Sequence, residues 1–232
     1  MVKRQHDVGV SQAGVARWFG GQAFAGLHEY SRSQQFRLCG LSTTPLNVFF
    51  RLGGKISYYL SMTDFKLQIA RHRDTLNELH ERIHATFKVR DRSEGHKRAW
   101  SEACSAFHSF SSEVDNLMDK VSHTTVAEDE QTRTFVFDFL SIDPVYFRSG
   151  YQKERLLKLV KVLDLTEHEK AVLRQTIQRR VRSGALREFR RFCQLIPKIQ
   201  SDDFILDLKT GARSTDEAIR RRAAFALAYI AA

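Results

Sequence analysis

Residues 61–87, SMTDFKLQIARHRDTLNELHERIHATF, decide the fold that the sequence predicts. The apolar residues of this stretch recur at spacings of three, four and seven, which is the period of an amphipathic helix. They are Phe65, Ile69, Leu76, Leu79, Ile83 and Phe87. Ser61 and Asp64 precede the run with the spacing of a helix cap. We therefore predict a helix of about 25 residues, which begins near residue 62.

A second apolar stripe of the same kind follows the short polar segment 91–95. It consists of Trp100, Ala103, Phe107, Phe110, Val114, Leu117 and Val121. Two long helices that are joined by so short a loop pack side by side and run in opposite directions. The sequence thus predicts a long antiparallel helical hairpin over residues 62–121, with a coiled-coil-like period of about 3.5 residues.

Residues 122–150 give two conflicting patterns. Phe135, Phe137 and Phe139 alternate as in a strand, whereas Phe135, Phe139 and Ile142 fit one face of a helix. A single strand has no partner for its backbone hydrogen bonds, and no second strand pattern lies nearby. We therefore predict a linker with a short helix that ends before Pro144.

Several short helices are predicted over residues 151–232. Thr166 and Glu169 form a capping box, Ser214 and Glu217 form another, and Gly184 and Pro197 stand where helices end. The apolar positions of these helices are Leu156, Val160, Leu163, Leu173, Ile177, Val181, Leu186, Phe189, Cys193, Ile196, Phe204, Ile205, Leu208, Ile219, Ala223, Ala226, Leu227 and Ile230. The prediction is an all-α protein that ends in a compact helical bundle.

The last stretch, residues 216–230 (DEAIRRRAAFALAYI), resembles the inner helix of a HEAT-type repeat. The short helices from residue 151 onward are similar in size to the paired helices of such repeats. This resemblance implies that the C-terminal bundle packs in a HEAT-like manner.

Residues 1–61 differ in composition from the rest of the chain. They hold eight of the twelve glycines and, with seven basic and two acidic residues, +5 of the formal net charge of +10. We expect an irregular basic N-terminal arm. The composition is shared by transit peptides, flexible arms and sequence translated upstream of a true start, and it makes Met62 a candidate start.

The cysteines and the apolar runs bear on the compartment. Cys39, Cys104 and Cys193 are odd in number and lack a C-x-x-C pair, which favours reduced thiols. The longest apolar run, residues 223–232, is far shorter than the roughly 18 residues of a membrane span. We therefore expect a cytoplasmic protein. No phosphate-binding loop, dinucleotide fingerprint or hydrolase motif occurs, so we expect no cofactor.

Residues 174–191 contain seven arginines and a single acid, Glu188, which gives a local charge of +6. The arginines are Arg174, Arg179, Arg180, Arg182, Arg187, Arg190 and Arg191, and Arg220, Arg221 and Arg222 could extend the patch. Arginine binds phosphate through two parallel hydrogen bonds, so these residues are candidates for nucleic-acid binding. A solubilising face or a docking surface for an acidic protein is the alternative, and Phe189 and Phe192 are assigned to the core.

A metal site is a second candidate. His80 and His84 share a helix face, as do Cys104 and His108, and an antiparallel hairpin centred near residue 94 would bring the two pairs opposite each other. Three imidazoles and a thiolate would suit tetrahedral zinc. The alternative, in which these residues are solvated flanks, predicts no metal.

Arg73 and His80 are seven residues apart on one predicted helix face. The pair resembles the Arg-x(4–6)-His signature of the HEPN-family ribonucleases. This resemblance implies metal-independent RNA cleavage, in which Arg73 and His80 would be the catalytic pair. Taken together, the sequence favours a non-enzymatic binding or scaffold module for an anionic partner, with the HEPN-like ribonuclease as the alternative.

Overall fold

The structure, a computed structural model, describes residues 64–230 of the chain. Short turns join α-helices throughout these residues, and they contain no strand, so the all-α prediction is confirmed for them. None of their helices is long and apolar enough to cross a membrane. The predicted N-terminal arm, residues 1–61, lies outside the described residues.

The helices are numbered in chain order. They are α1 Asp64–Phe87, α2 Glu94–Ser109, α3 Glu113–Lys120, α4 His123–Glu128, α5 Glu130–Ile142, α6 Ser149–Val160, α7 Glu167–Ser183, α8 Phe189–Cys193, α9 Ile196–Ile199, α10 Asp202–Gly211 and α11 Glu217–Leu227. A 3-10 turn, Arg90–Arg92, lies between α1 and α2.

The second long helix of the predicted hairpin is interrupted. α2 ends at Ser109, and Ser112 caps a new helix, α3, because its hydroxyl accepts from the amide of Val114 while Asp115 accepts from the amide of Ser112 at 2.9 Å. His72 of α1 lies 2.8 Å from that same hydroxyl. The local bonds of Ser112 with Val114 and Asp115 compete with a continuous helix. α1 and α2 pack against each other, and the long antiparallel hairpin stays a prediction.

α5, predicted as a short helix within a linker, is instead a central helix. It packs against α1, α3, α4, α6 and α7, and Phe135 and Phe139 are completely buried in it. The interpretation of 122–150 as a linker is corrected, because three phenylalanines at helical positions supply the apolar surface around which neighbouring helices pack. The helix ends at Ile142, before Pro144 as predicted.

α7 is the second central helix and packs against α5 and α8–α11. The Thr166 capping box opens it as predicted, and Gly184 ends it at a φ of +130°. A single continuous set of buried apolar residues runs from Phe65 in α1 to Ala226 in α11. The described residues thus share one core.

Two predicted helix ends are corrected. α11 is capped by Asp216, whose carboxylate accepts from the amides of Ala218 and Ile219, whereas Ser214 only accepts from the amide of Asp216. Pro197 does not end a helix but lies in the first turn of α9, where a missing backbone N–H has no consequence. The HEAT-like packing of these helices stays a prediction.

Candidate functional site

The arginine-rich segment is divided by the fold between interior and surface. Arg180 is only 4% exposed, and its guanidinium makes an ion pair with Asp143 and donates to the backbone oxygen of Asp143 at 3.3 Å. The sequence assigned Arg180 to the nucleic-acid-binding surface, which is wrong for this residue. Arg180 lies seven residues after Leu173 and three after Ile177, so it shares their buried helix face.

Arg180 belongs to a buried charge network of four residues, Asp143, Lys153, Arg180 and Glu188. The Lys153 ammonium is completely buried and lies 2.7 Å from one carboxylate oxygen of Asp143, and it also makes an ion pair with Glu188. Two positive and two negative side chains therefore balance within the core. Balance is required, since an unpaired buried charge is strongly destabilising.

Asp143 stays ionised inside this network. Burial by itself would raise the pKa of Asp143, but the hydrogen bond from Arg180 and the charge of Lys153 outweigh it and lower that pKa. Asp143 caps α5 in the left-handed conformation, with a φ of 52°, which aspartate tolerates better than most residues. The cap thus turns the carboxylate from the end of α5 towards α6 and α7.

The network also fastens the start of α6 to the segment before α8. A Cβ atom at Gly150 would lie 3.1 Å from a carboxylate oxygen of Glu188, so only glycine allows this approach without a shift. Glu188 and Lys153 each stand within two residues of an exposed side chain, Arg187 and Tyr151 respectively. The buried contacts consequently set the position of the surface above them.

On that surface, the guanidinium of Arg187 lies 4.0 Å from the ring centroid of Tyr151. Tyr151 is 59% exposed, and the Nε of Arg187 donates to Glu154 at 3.2 Å, which holds the guanidinium against the ring. Arg190 is exposed, and its side chain bonds to no residue within 64–230. We call Tyr151, Arg187 and Arg190 the Tyr151–Arg187 surface.

The other predicted arginines mostly bind this chain's own oxygens. Arg174 donates to the carbonyl of Ile199 at 2.9 Å, Arg179 to that of Ser141, and Arg222 to that of Val181 at 2.7 Å. Arg182 pairs with Asp207, Arg191 donates to Gln194, Arg220 donates to the carbonyl of Ser214, and Arg221 lies 4.0 Å from Glu217. Several of these bonds satisfy carbonyls at helix ends, which lack partners within the helix.

The predicted metal ligands are not brought together. The rings of His80 and His84 are 4.6 Å apart, but His80 packs against Phe107 and, at 5.5 Å, stacks on Phe147. His108 is exposed, and Cys104 is a half-buried thiol whose pKa is raised by burial. No three His, Cys, Asp or Glu side chains within residues 64–230 are placed to hold a metal ion. The four candidate ligands, His80, His84, Cys104 and His108, are therefore not assembled into one site within these residues.

The predicted ribonuclease pair has a different environment at each residue. Arg73 donates to its neighbour Asp74 at 2.8 Å, whereas His80 lies among aromatic rings. Burial, and then the nearby His84, lower the pKa of His80. No contact joins Arg73 to His80 in the described part of the chain, and the ribonuclease hypothesis stays a prediction.

Sequence reasoning missed Asp143, Tyr151, Lys153 and Glu188. The signal for Lys153 was present, since it precedes Leu156, Leu157 and Val160 at spacings of three, four and seven and so lies on a buried face. A charged residue at such a position requires a buried partner. The identity of the partner depends on which helices meet, which no local pattern contains.

The chain matches no protein-family model, no curated protein and no solved structure.

Proposed function

We propose that this protein is a binding module that contacts nucleic acid through the Tyr151–Arg187 surface. The observation that carries the proposal is the exposed Tyr151 ring with a guanidinium held 4.0 Å above it. Aromatic rings and arginine planes together bind unpaired bases by stacking and phosphates by charge-assisted hydrogen bonds. Arg190, exposed on the same segment as Arg187, supplies a second cation.

The electrostatics of the chain agree with an anionic partner. The formal net charge is +10. A cationic protein attracts polyanions over the screening length of the solution, which is about 10 Å at 0.1 M salt. Glu154 reduces the charge of the surface, but it also fixes Arg187 over Tyr151, so less conformational freedom is lost when a partner binds.

The test is the salt dependence of binding to labelled single-stranded RNA, measured by fluorescence anisotropy with the full chain. Each phosphate contact contributes about −0.7 to the slope of log affinity against log salt for a single strand. The double variant Arg187→Gln and Arg190→Gln should therefore flatten the slope by roughly 1.4.

The matched control removes two exposed cations from α10 and the turn after it, Lys209→Gln and Arg213→Gln. Neither side chain makes a hydrogen bond or ion pair within the described residues. The control should keep the wild-type slope. Equal slopes for the two double variants would contradict the proposal, and so would the lack of any binding by the wild-type protein at low salt.

A further inference from the structure

The turn between α1 and α2 carries a second concentration of positive charge. Residues 88–98 contain five lysines and arginines and only two carboxylates, and residues 91–98 are all exposed. Both carboxylates are already engaged, since Asp91 accepts from Arg90 and Glu94 lies 3.8 Å from Lys97. Lys88, Arg92 and Arg98 have no side-chain partner among residues 64–230. The side chains of Lys88, Arg92 and Arg98 are thus available to bind an anion from outside the described residues.

Arg90 is held in a fixed orientation at the centre of this turn. Its guanidinium carbon lies 4.5 Å from the ring centroid of Phe87 and 5.2 Å from that of Trp100. Its Nε donates to both carboxylate oxygens of Asp91, each at 3.1 Å. The two terminal nitrogens bond to no described residue. A stacked arginine whose terminal nitrogens are free is suited to bind a phosphate through two hydrogen bonds.

The same stacking argues against a membrane as the partner. Insertion into a lipid interface requires aromatic rings that project from the surface. Phe87 is 42% exposed, but the Arg90 guanidinium lies over its ring and over that of Trp100, so a cation covers part of the aromatic surface there. The turn presents several separate cations around the oriented Arg90 guanidinium. This arrangement suits the repeating phosphates of a nucleic-acid backbone better than the surface of a lipid layer.

We propose that the turn surface, formed by Lys88, Arg90, Arg92 and Arg98 over the rings of Phe87 and Trp100, binds the phosphate backbone of nucleic acid. Arg90 donates one hydrogen bond from each of its two terminal nitrogens to oxygens of one phosphate, and Arg92, Lys88 and Arg98 neutralise neighbouring phosphates. This surface goes beyond the Tyr151–Arg187 surface and shares with it only the class of partner.

The first experiment uses the double variant Arg92→Gln and Arg98→Gln of the full chain. Both side chains are exposed and unpaired within the described residues, so the substitutions should leave the fold intact. The slope of log RNA affinity against log salt should flatten by roughly 1.4 relative to the wild type. The control variant Lys209→Gln and Arg213→Gln should keep the wild-type slope. Equal slopes for the two variants would overturn the proposal.

A second readout reports on the turn itself. Trp18 and Trp100 are the two tryptophans of the chain, so Trp18→Phe leaves Trp100 as its single indole fluorophore. RNA at saturation should change the emission of Trp100, and the change should be lost in Arg90→Gln. Unchanged Trp100 emission, while anisotropy reports bound RNA, would overturn the proposal.

The outcomes separate the two surfaces. RNA binding that depends on Arg187 and Arg190 but not on Arg92 and Arg98 overturns the turn surface alone, and the reverse result overturns the function proposed for Tyr151. Phosphatidylserine vesicles or polyglutamate that change Trp100 emission when RNA does not would overturn nucleic acid as the partner. A wild-type protein that binds no RNA at low salt overturns both proposals.

Discussion

Residues 174–191 and the turn at residues 88–98 are both rich in arginine, yet the fold uses their charges differently. In the first region Arg180 is buried against Asp143, and Arg174 and Arg179 donate to backbone carbonyls. In the turn, Arg92 and Arg98 bind no described residue. The number of arginines in a segment therefore exceeds the number that a partner can contact. The difference arises where arginine side chains bind carbonyls at helix ends or buried carboxylates of the same chain.

The largest effect should come from the buried arginine. Arg180→Gln leaves the Asp143 carboxylate with one cation fewer inside the core, which should lower the free energy of unfolding by about 3–5 kcal/mol. Urea denaturation measures this change. Arg190→Gln, in the same segment but exposed, should change it by less than about 0.5 kcal/mol. Equal stabilities of the two variants would remove the distinction between buried and exposed arginines.

A pair of substitutions that removes one buried positive and one buried negative charge tests whether the network must be balanced. Lys153→Met alone leaves two buried carboxylates opposite Arg180 and should destabilise the protein strongly. Lys153→Met together with Glu188→Leu keeps the Asp143–Arg180 pair balanced, so the double variant should be more stable than Lys153→Met alone. Denaturation curves of the three proteins provide the comparison, and a double variant no more stable than the single one would refute the balance of charges as the cause.

The next effect is smaller and concerns binding rather than folding. Tyr151→Ala removes the exposed ring beneath Arg187, and loss of one base-stacking contact should weaken RNA binding by about 1–3 kcal/mol, roughly fivefold to 150-fold. Tyr151→Phe keeps the ring and should bind nearly as well as the wild type. Anisotropy titrations at one salt concentration measure both. Full affinity of Tyr151→Ala would show that the ring does not stack on a base.

A still smaller effect is expected at Arg182, which pairs with Asp207 at the surface. The Arg182 side chain is 61% exposed, so solvent screens the pair. Arg182→Gln should therefore lower the free energy of unfolding by less than about 1 kcal/mol and leave the salt slope of RNA binding unchanged. Denaturation and anisotropy check the two expectations. A flattened slope would extend the binding surface to α7.

Much of the secondary structure could be predicted because its signals are local. The Thr166–Glu169 capping box and Gly184 mark the two ends of α7. A helix was chosen over a strand at Phe135–Phe139 because no second strand pattern lies nearby, and α5 is a helix. One helix start that was missed is at Ser112, where a local bond to Asp115 is joined by a contact with His72, which is 40 residues away in sequence. For the candidate site, the prediction included Arg187 and Arg190 but could not separate them from Arg180.

The sequence by itself determined that the protein is all-α from about residue 62 and where charge is concentrated, because helix period, capping and composition are properties of neighbouring residues. Only the tertiary structure decided which charges remain available. Asp143, Lys153, Arg180 and Glu188 meet because α5, α6, α7 and the segment before α8 pack together around one core. A buried charged side chain requires an oppositely charged side chain beside it, and the packing of the helices supplies that partner from a distant part of the sequence.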